Sequence, residues 1–196
     1  GEHNIYNCMQ AVACLHHMGF EIEKLLQDLS LFGGVAGRLE KVRNLKNTGP
    51  AVFVDYAHTP DAMDNVLKSV VALKGQGKLW VVFGCGGDRD RTKRPLMAKS
   101  AEKFGDKVIV TSDNPRTENP DMIIEEIKVG FSKSNYTAIV DRRKASECAV
   151  QSAASEDMIV QLDKGHEDYQ IIGKIKHHFD DKEEAEKALS KKVPIK

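Results

Sequence analysis

Two hydrophobic periods divide the chain. Between Asn4 and Met18, the apolar residues Ile5, Cys8, Met9, Val12 and Leu15 recur at helical spacing, and Gly19 comes next as a stop. Ile22, Leu25, Leu26 and Leu29 form one stripe of a second, short helix from Glu21 to Leu29. Gly33-Gly34-Val35-Ala36-Gly37 offers almost no side chain to pack and reads as a joint. Two helices of this size cannot enclose a core, so they either dock on the rest of the chain or end a neighbouring domain. Beyond the joint, short apolar runs predict strands at 51–54, 79–83, 108–111, 138–140 and 158–160. Helices separate them. One opens with Thr59 as N-cap and Pro60 at N1, another with Asn119 and Pro120, and two more start near Pro95 and from Arg142. Such alternation implies right-handed crossovers and a mostly parallel α/β sheet covered on both faces. The end differs: Tyr169 to Phe179 predicts an antiparallel hairpin turning at Gly173-Lys174, and Asp181 to Lys191 a surface helix running from acidic to basic.

Composition adds bounds. The 196 residues carry 29 Lys+Arg against 29 Asp+Glu, a formal net charge of zero, with 41% hydrophobic and 30% charged residues. A chain of this length buries about 70% of its unfolded surface without staples. Zero net charge argues against a nucleic-acid or membrane-surface protein, because both need a cationic footprint. Cys8, Cys14, Cys85 and Cys148 show no paired or metal-ligand spacing and suit reduced thiols in a cytosol. The chain starts Gly1-Glu2-His3-Asn4, already inside a helical pattern and without Met, so we expect a cut end.

In open α/β sheets, ligands bind outside the carboxyl ends of the strands. Four motifs fall there. Asp55-Tyr56-Ala57-His58 follows the first strand; Asp55 and His58 form an ionisable pair facing the crevice, while Thr59 and Asp61 serve as caps. Gly84-Cys85-Gly86-Gly87-Asp88-Arg89 follows the second. A dinucleotide fingerprint would need glycine where Arg89 stands, and Asp88 would repel a pyrophosphate. Arg89 amid exposed backbone N–H groups suits a carboxylate or phosphate, whereas Arg91 and Lys93 read as surface charges. Asp113-Asn114-Pro115-Arg116 follows the third strand, with amide donors on Asn114 and a planar fork on Arg116. Lys164-Gly165-His166-Glu167-Asp168 follows the fifth and offers a carboxylate for an ammonium group. His3, His16-His17 and His177-His178 lack metal-ligand partners, and no metal site is expected.

In order and placement, these motifs resemble the Mur ligases of peptidoglycan synthesis, best the branch that adds meso-diaminopimelate to UDP-N-acetylmuramoyl-L-alanyl-D-glutamate. The resemblance rests on His3 to Asn7, Gly37-Arg38-Leu39-Glu40, Asp55 to Pro60, Gly84 to Pro95, Asp113 to Arg116 and Lys164 to Gln170. Asp-Asn-Pro-Arg is its most specific element, marking diaminopimelate over lysine in that family. It implies a Rossmann-like, doubly wound C-terminal domain over residues 35–196, with residues 1–34 the end of a central ATPase domain. It further implies that Arg89, Asp113, Asn114, Pro115, Arg116, Asp163 and Glu167 hold diaminopimelate, and that Asn7, Arg38, Asp55 and His58 approach ATP. The whole enzyme would use ATP and Mg2+ to activate the glutamyl carboxylate, which the amine of diaminopimelate then attacks. Two departures stand out. Asp163 occupies a position where the family has glycine, and no GxxxxGK[ST] phosphate loop occurs, so the chain alone is expected to be inactive, with no catalytic residue of its own. A lysine-adding or tripeptide-recycling relative and a dinucleotide-binding domain are the alternatives.

Overall fold

The computed structural model describes residues 2–45 and 48–192; Gly1 and the side chains of Glu2 and His3 fall outside the described residues. The chain divides into two compact units, Gly1–Val35 and Ala36–Lys196. The first contains α1 (Glu2–His17) and α2 (Ile22–Ser30). Gly19 ends α1 with φ +97°, its N–H donating to the His16 carbonyl while the Phe20 N–H reaches back to Leu15. That paired closure needs the left-handed conformation glycine adopts without penalty. The apolar stripe read from sequence is present, but Ile5, Met9 and Leu26 stay exposed along a groove between the helices.

The second unit is built on a six-stranded sheet in the order β1 (Glu40–Lys41), β2 (Ala51–Val54), β6 (Met158–Gln161), β3 (Leu79–Phe83), β4 (Lys107–Val110), β5 (Tyr136–Ala138). All neighbours pair parallel except β1, a two-residue antiparallel edge strand that the hydrophobic pattern did not predict. Residues alternate between faces. Val81, Phe83, Val108, Val110 and Val160 pack with α3 (Pro60–Val71), α4 (Lys93–Phe104) and α5 (Pro120–Lys128). Val52, Val54, Val82, Ile109 and Ile159 pack on the opposite face with α6 (Arg142–Ser152) and α7 (Asp181–Lys191). The sheet is therefore doubly wound. Helices α3, α4 and α5 cover one face and α6 and α7 the other, and β6 is inserted between β2 and β3.

Capping follows the sequence. Thr59 accepts the Ala62 N–H, Asn119 the Asp121 N–H, and prolines open α3 and α5. Pro95 is the third residue of α4, where its missing N–H belongs to the unpaired first turn. Two predicted elements are corrected. The fourth parallel strand is 136–138 rather than 138–140. The Ile139 N–H bonds the Val110 carbonyl, after which the Val140 carbonyl turns to Ser112 and Ile139 packs toward α6. Helix α7 is no surface helix: Ala185, Ala188 and Leu189 are buried against α6 and β2, a narrow stripe hidden among charges in the sequence. Tyr169 to His178 forms the predicted hairpin, β7 (Tyr169–Ile172) with β8 (Ile175–His178), as a sheet of its own.

One ion pair joins these layers. Arg142 and Asp181 are fully buried, and Arg142 donates Nε and Nη2 to the two Asp181 oxygens at 2.7 and 2.6 Å. It also donates to the carbonyls of Leu162 (2.6 Å) and Ser112 (3.3 Å), at the ends of β6 and β4. Arg142→Leu leaves Asp181 buried without a partner and is expected to cost about 3–5 kcal/mol in urea unfolding. An unchanged midpoint would mean the pair carries no such weight.

Candidate functional site

The loops after β3 and β4 are drawn into contact by absent side chains. A Cβ on Gly87 would overlap the Pro115 carbonyl oxygen, and one on Gly84 would sit 2.5 Å from that of Thr111. The Gly87 N–H donates to the Asn114 carbonyl at 2.9 Å. Asp88, with φ +53°, accepts from the Thr117 hydroxyl (2.8 Å) and N–H (3.2 Å), so its carboxylate is occupied in stitching the loops.

Hairpin β7–β8 fixes the second loop from the other side. Arg116, with φ +51°, donates its N–H to the Ile171 carbonyl and accepts from the Gly173 N–H at 2.7 Å. Its Nη1 donates to the Gly87 carbonyl at 2.8 Å. The position of a Cβ on Gly86 lies 2.8 Å from Arg116 Nη1 and 3.5 Å from both Arg89 Cγ and Asp113 Oδ2. Two guanidinium-bearing side chains thus meet over a bare glycine. Arg89 is exposed, with Nη1 on its neighbour's carbonyl, and Arg116 is half-buried. Pro115 is buried and shapes the turn through its carbonyl, which also accepts the Glu118 N–H.

Asn114 is buried, and its Oδ1 accepts from the Ile171 N–H (2.9 Å) and Lys164 Nζ (3.2 Å) while Nδ2 donates to Glu167 Oε2 (3.0 Å). That places the Glu167 carboxylate beside the Asp113–Arg116 turn. Lys164 is fully buried and lies 3.2 Å from Asp113 Oδ1 and 3.8 Å from Glu167 Oε2, with its ammonium also on the Tyr169 carbonyl. Burial pushes the Asp113 carboxyl up, but the charges of Lys164 and Arg142 outweigh it and hold the group below its ordinary range.

Asp163 lies beneath these groups rather than among them. Its φ of +87° is a conformation glycine takes freely and other residues rarely adopt. Oδ2 accepts the Gly84 N–H at 2.6 Å, while buried Oδ1 has no partner. Burial, reinforced by the Asp113 charge, pushes its carboxyl up to about 8.

At the end of β2 the expected pairing is not formed. Asp55 is buried and spends both oxygens on the backbone N–H groups of Leu39 (2.7 Å) and Ala57 (2.8 Å). Burial raises its pKa despite those bonds. His58 is exposed, with Nδ1 2.8 Å from the Tyr56 carbonyl. The groups actually assembled here are aromatic and cationic. The Arg38 guanidinium sits 5.3 Å from the centre of the Tyr56 ring, which is flanked by His58 at 4.7 Å and His166 at 5.1 Å. Asn7 is exposed on α1 in the first unit.

A doubly wound sheet whose strand-end loops gather arginines and carboxylates, without a dinucleotide fingerprint, defines a Rossmann-like domain with a charged site at its carboxyl edge. The chain belongs to the Mur ligase family: residues 37–165 match the family described as "Mur ligase, glutamate ligase domain". It is 49% identical over 193 residues to the UDP-N-acetylmuramoyl-L-alanyl-D-glutamate--2,6-diaminopimelate ligase of Clostridioides difficile, covering 97% of this chain and 39% of the relative. The Haemophilus ducreyi protein of the same name is 50% identical over 192 residues, with 97% and 38% covered. A solved structure bearing that name superposes with a TM-score of 0.73 at 41% identity, covering 95% of this chain and 38% of the other. The chain thus spans about two-fifths of the length of these relatives.

The sequence motifs contain Lys164, Arg94 and Gln170 but assign none of them a role; Gln170 Nε2 donates to the Asp113 carbonyl at 2.7 Å. Only Lys164, next to Gly165, sits where glycine spacing hints that a charge turns inward.

The Asp163 carboxyl has a pH signature. Its pKa is raised in the fold, so its contribution to stability is complete below about pH 4 and is lost as pH climbs toward about 8. Asp163→Asn cannot ionise. Between pH 5 and 8 the parent is therefore expected to lose stability relative to the variant, by at most about 1.4 kcal/mol per pH unit. Urea titrations across that range check it, and parallel pH profiles would contradict it.

Proposed function

We propose that this chain is the amino-acid-binding part of an ATP-dependent amide ligase that adds meso-diaminopimelate to UDP-N-acetylmuramoyl-L-alanyl-D-glutamate. The observation that carries the reading is the convergence of Arg89 and Arg116 over Gly86, with Glu167 held beside them by Asn114. Meso-diaminopimelate differs from lysine by one distal carboxylate. Arg89 and Arg116 take that carboxylate, and Glu167 accepts from the ammonium on the same carbon. One amino-acid end is thereby bound, and the amine of the other is left free to attack. Lysine presented with its α-amine free to attack has no distal carboxylate for the arginines, and a half-buried guanidinium without its anion penalises that ligand. Asp113, Asn114 and Pro115 shape the turn that presents Arg116. Asp163 supports the loop through Gly84 and is not assigned a ligand contact.

ATP belongs to the same reading, and it supplies the free energy that activates the glutamyl carboxylate. The chemistry of Arg38, Tyr56 and His58 fits its phosphates and base. Asp55 does not fit, because both its oxygens are taken by backbone N–H groups. Asn7, on α1, is assigned to adenine by the resemblance alone. The UDP-linked dipeptide, Mg2+ and the phosphate loop are assigned to a central domain of which residues 1–34 form the end, residues 35–196 being the receiving domain. Among the described residues no helix is long and apolar enough to cross a membrane, and a cytoplasmic setting suits four free cysteines.

Titration calorimetry of this chain tests the central assignment. Diaminopimelate is expected to bind more tightly than lysine, and Arg116→Ala to reduce diaminopimelate affinity at least about tenfold while leaving the weak lysine affinity unchanged. Equal affinity for both amino acids in the parent chain would sink the reading.

A further inference from the structure

Arg94 stands in the first turn of α4 with no exposed surface, and so large a buried cation must be met by fixed partners. Nη2 donates to Glu118 Oε1 (2.8 Å) and to the Gly86 carbonyl (3.2 Å). Nη1 donates to Glu118 Oε2 (3.0 Å) and Glu126 Oε2 (2.6 Å). The grip on Glu118 is a bidentate fork, the geometry that fixes direction as well as distance. Glu118 in turn accepts the Asp88 N–H at 2.6 Å and gives its own N–H to the Pro115 carbonyl at 3.0 Å.

The fork therefore holds both arginine-bearing loops at once. It reaches the first at Gly86 directly and at Asp88, the residue before Arg89, through Glu118. It holds the second because Glu118 lies two residues beyond Arg116 on the same turn. We propose that Arg94 is a positioning residue that sets the separation of the Arg89 and Arg116 guanidinium groups, and with it the preference for an amino acid carrying a distal carboxylate. This rests on the assignment of those two arginines under Proposed function. Lysine could not replace Arg94, because one ammonium cannot span a carboxylate fork and a carbonyl together.

The two carboxylates on Arg94 separate positioning from mere anchoring of α4. Glu126 belongs to α5 and bonds the side chains of Arg94 and of Arg91, on the first loop, and among the described residues no hydrogen bond joins it to the backbone of either loop. Glu118 touches both. The test compares the parent chain with Arg94→Lys, Glu118→Gln and Glu126→Gln. It measures melting temperature, calorimetric affinity for diaminopimelate and for lysine, and hydrogen exchange at the Gly87 amide. That amide bridges the loops through its 2.9 Å bond to the Asn114 carbonyl, and it shares a peptide group with the Gly86 carbonyl that Arg94 reaches.

All three variants should melt earlier. Arg94→Lys and Glu118→Gln alone should accelerate Gly87 exchange and weaken diaminopimelate at least about tenfold, with lysine unaffected. Glu126→Gln weakening diaminopimelate as much as Glu118→Gln, or Arg94→Lys binding it like the parent, would overturn the proposal. Failure of the parent itself to bind diaminopimelate would defeat the functional reading instead. Gly87 exchange then decides the fork: acceleration confined to Arg94→Lys and Glu118→Gln upholds the positioning role, and uniform rates reject it.

Discussion

Arg94, Arg142 and Lys164 each lie buried beneath the carboxyl ends of the strands, where charge must be met by protein atoms because water cannot reach it. Meeting it determines the loops. Arg142 binds the ends of β4 and β6 to the start of α7, Lys164 gathers Asp113, Asn114 and the Tyr169 carbonyl, and Arg94 ties the β3 and β4 loops. Such pairs add little net stability over apolar packing of the same volume, yet removing one partner is costly. Their contribution is geometric. They oblige the backbone to pass through fixed points, and the exposed Arg89 and half-buried Arg116 are displayed from that frame.

Glycine and charge cooperate here. The loops approach so closely at Gly84, Gly87, Gly37 and Gly165 that side chains would collide with neighbouring backbone. Close approach is what lets one guanidinium reach two loops. Asp163 shows the opposite case: a side chain in glycine's conformation, with one oxygen used and the other stranded. Burial, with the Asp113 charge, outweighs the cations Arg142 and Lys93 and favours the protonated carboxyl.

Most of the fold was legible because strands buried on both faces read as continuous apolar runs and because Thr59-Pro60 and Asn119-Pro120 announce their helices. Strand β5 was misplaced since it is an edge strand with polar, exposed residues, while the apolar 138–140 run belongs partly to the bend after it. Helix α7 was misjudged because a stripe of two alanines and a leucine is too weak a signal among seven charged residues. At the site, the strand-end motifs pointed to Arg89, Asn114, Arg116 and Glu167, which the fold does gather. Asp55 shows why sequence alone underdetermines a role: an aspartate capping its own loop, as here, and one facing a ligand look alike. Arg94 and Arg142 carried no signal: a charged residue in a helix's first turn reads as solvent-facing until its partners, from 24 to 39 positions away, are known.

The hairpin has a consequence for dynamics. Strands β7 and β8 form a separate small sheet, with β8 exposed along its length, yet the Arg116 backbone is bonded to Ile171 and Gly173 within it. A two-stranded ribbon opens far more readily than the six-stranded sheet beside it. Each opening releases the Arg116 backbone on one side while the Gly87 and Glu118 bonds hold the other, so under the proposed function discrimination between ligands is a locally cooperative property. Heating or a proteolytic nick near Gly173 can erase that capacity while the sheet, its helices and their spectroscopic signature persist.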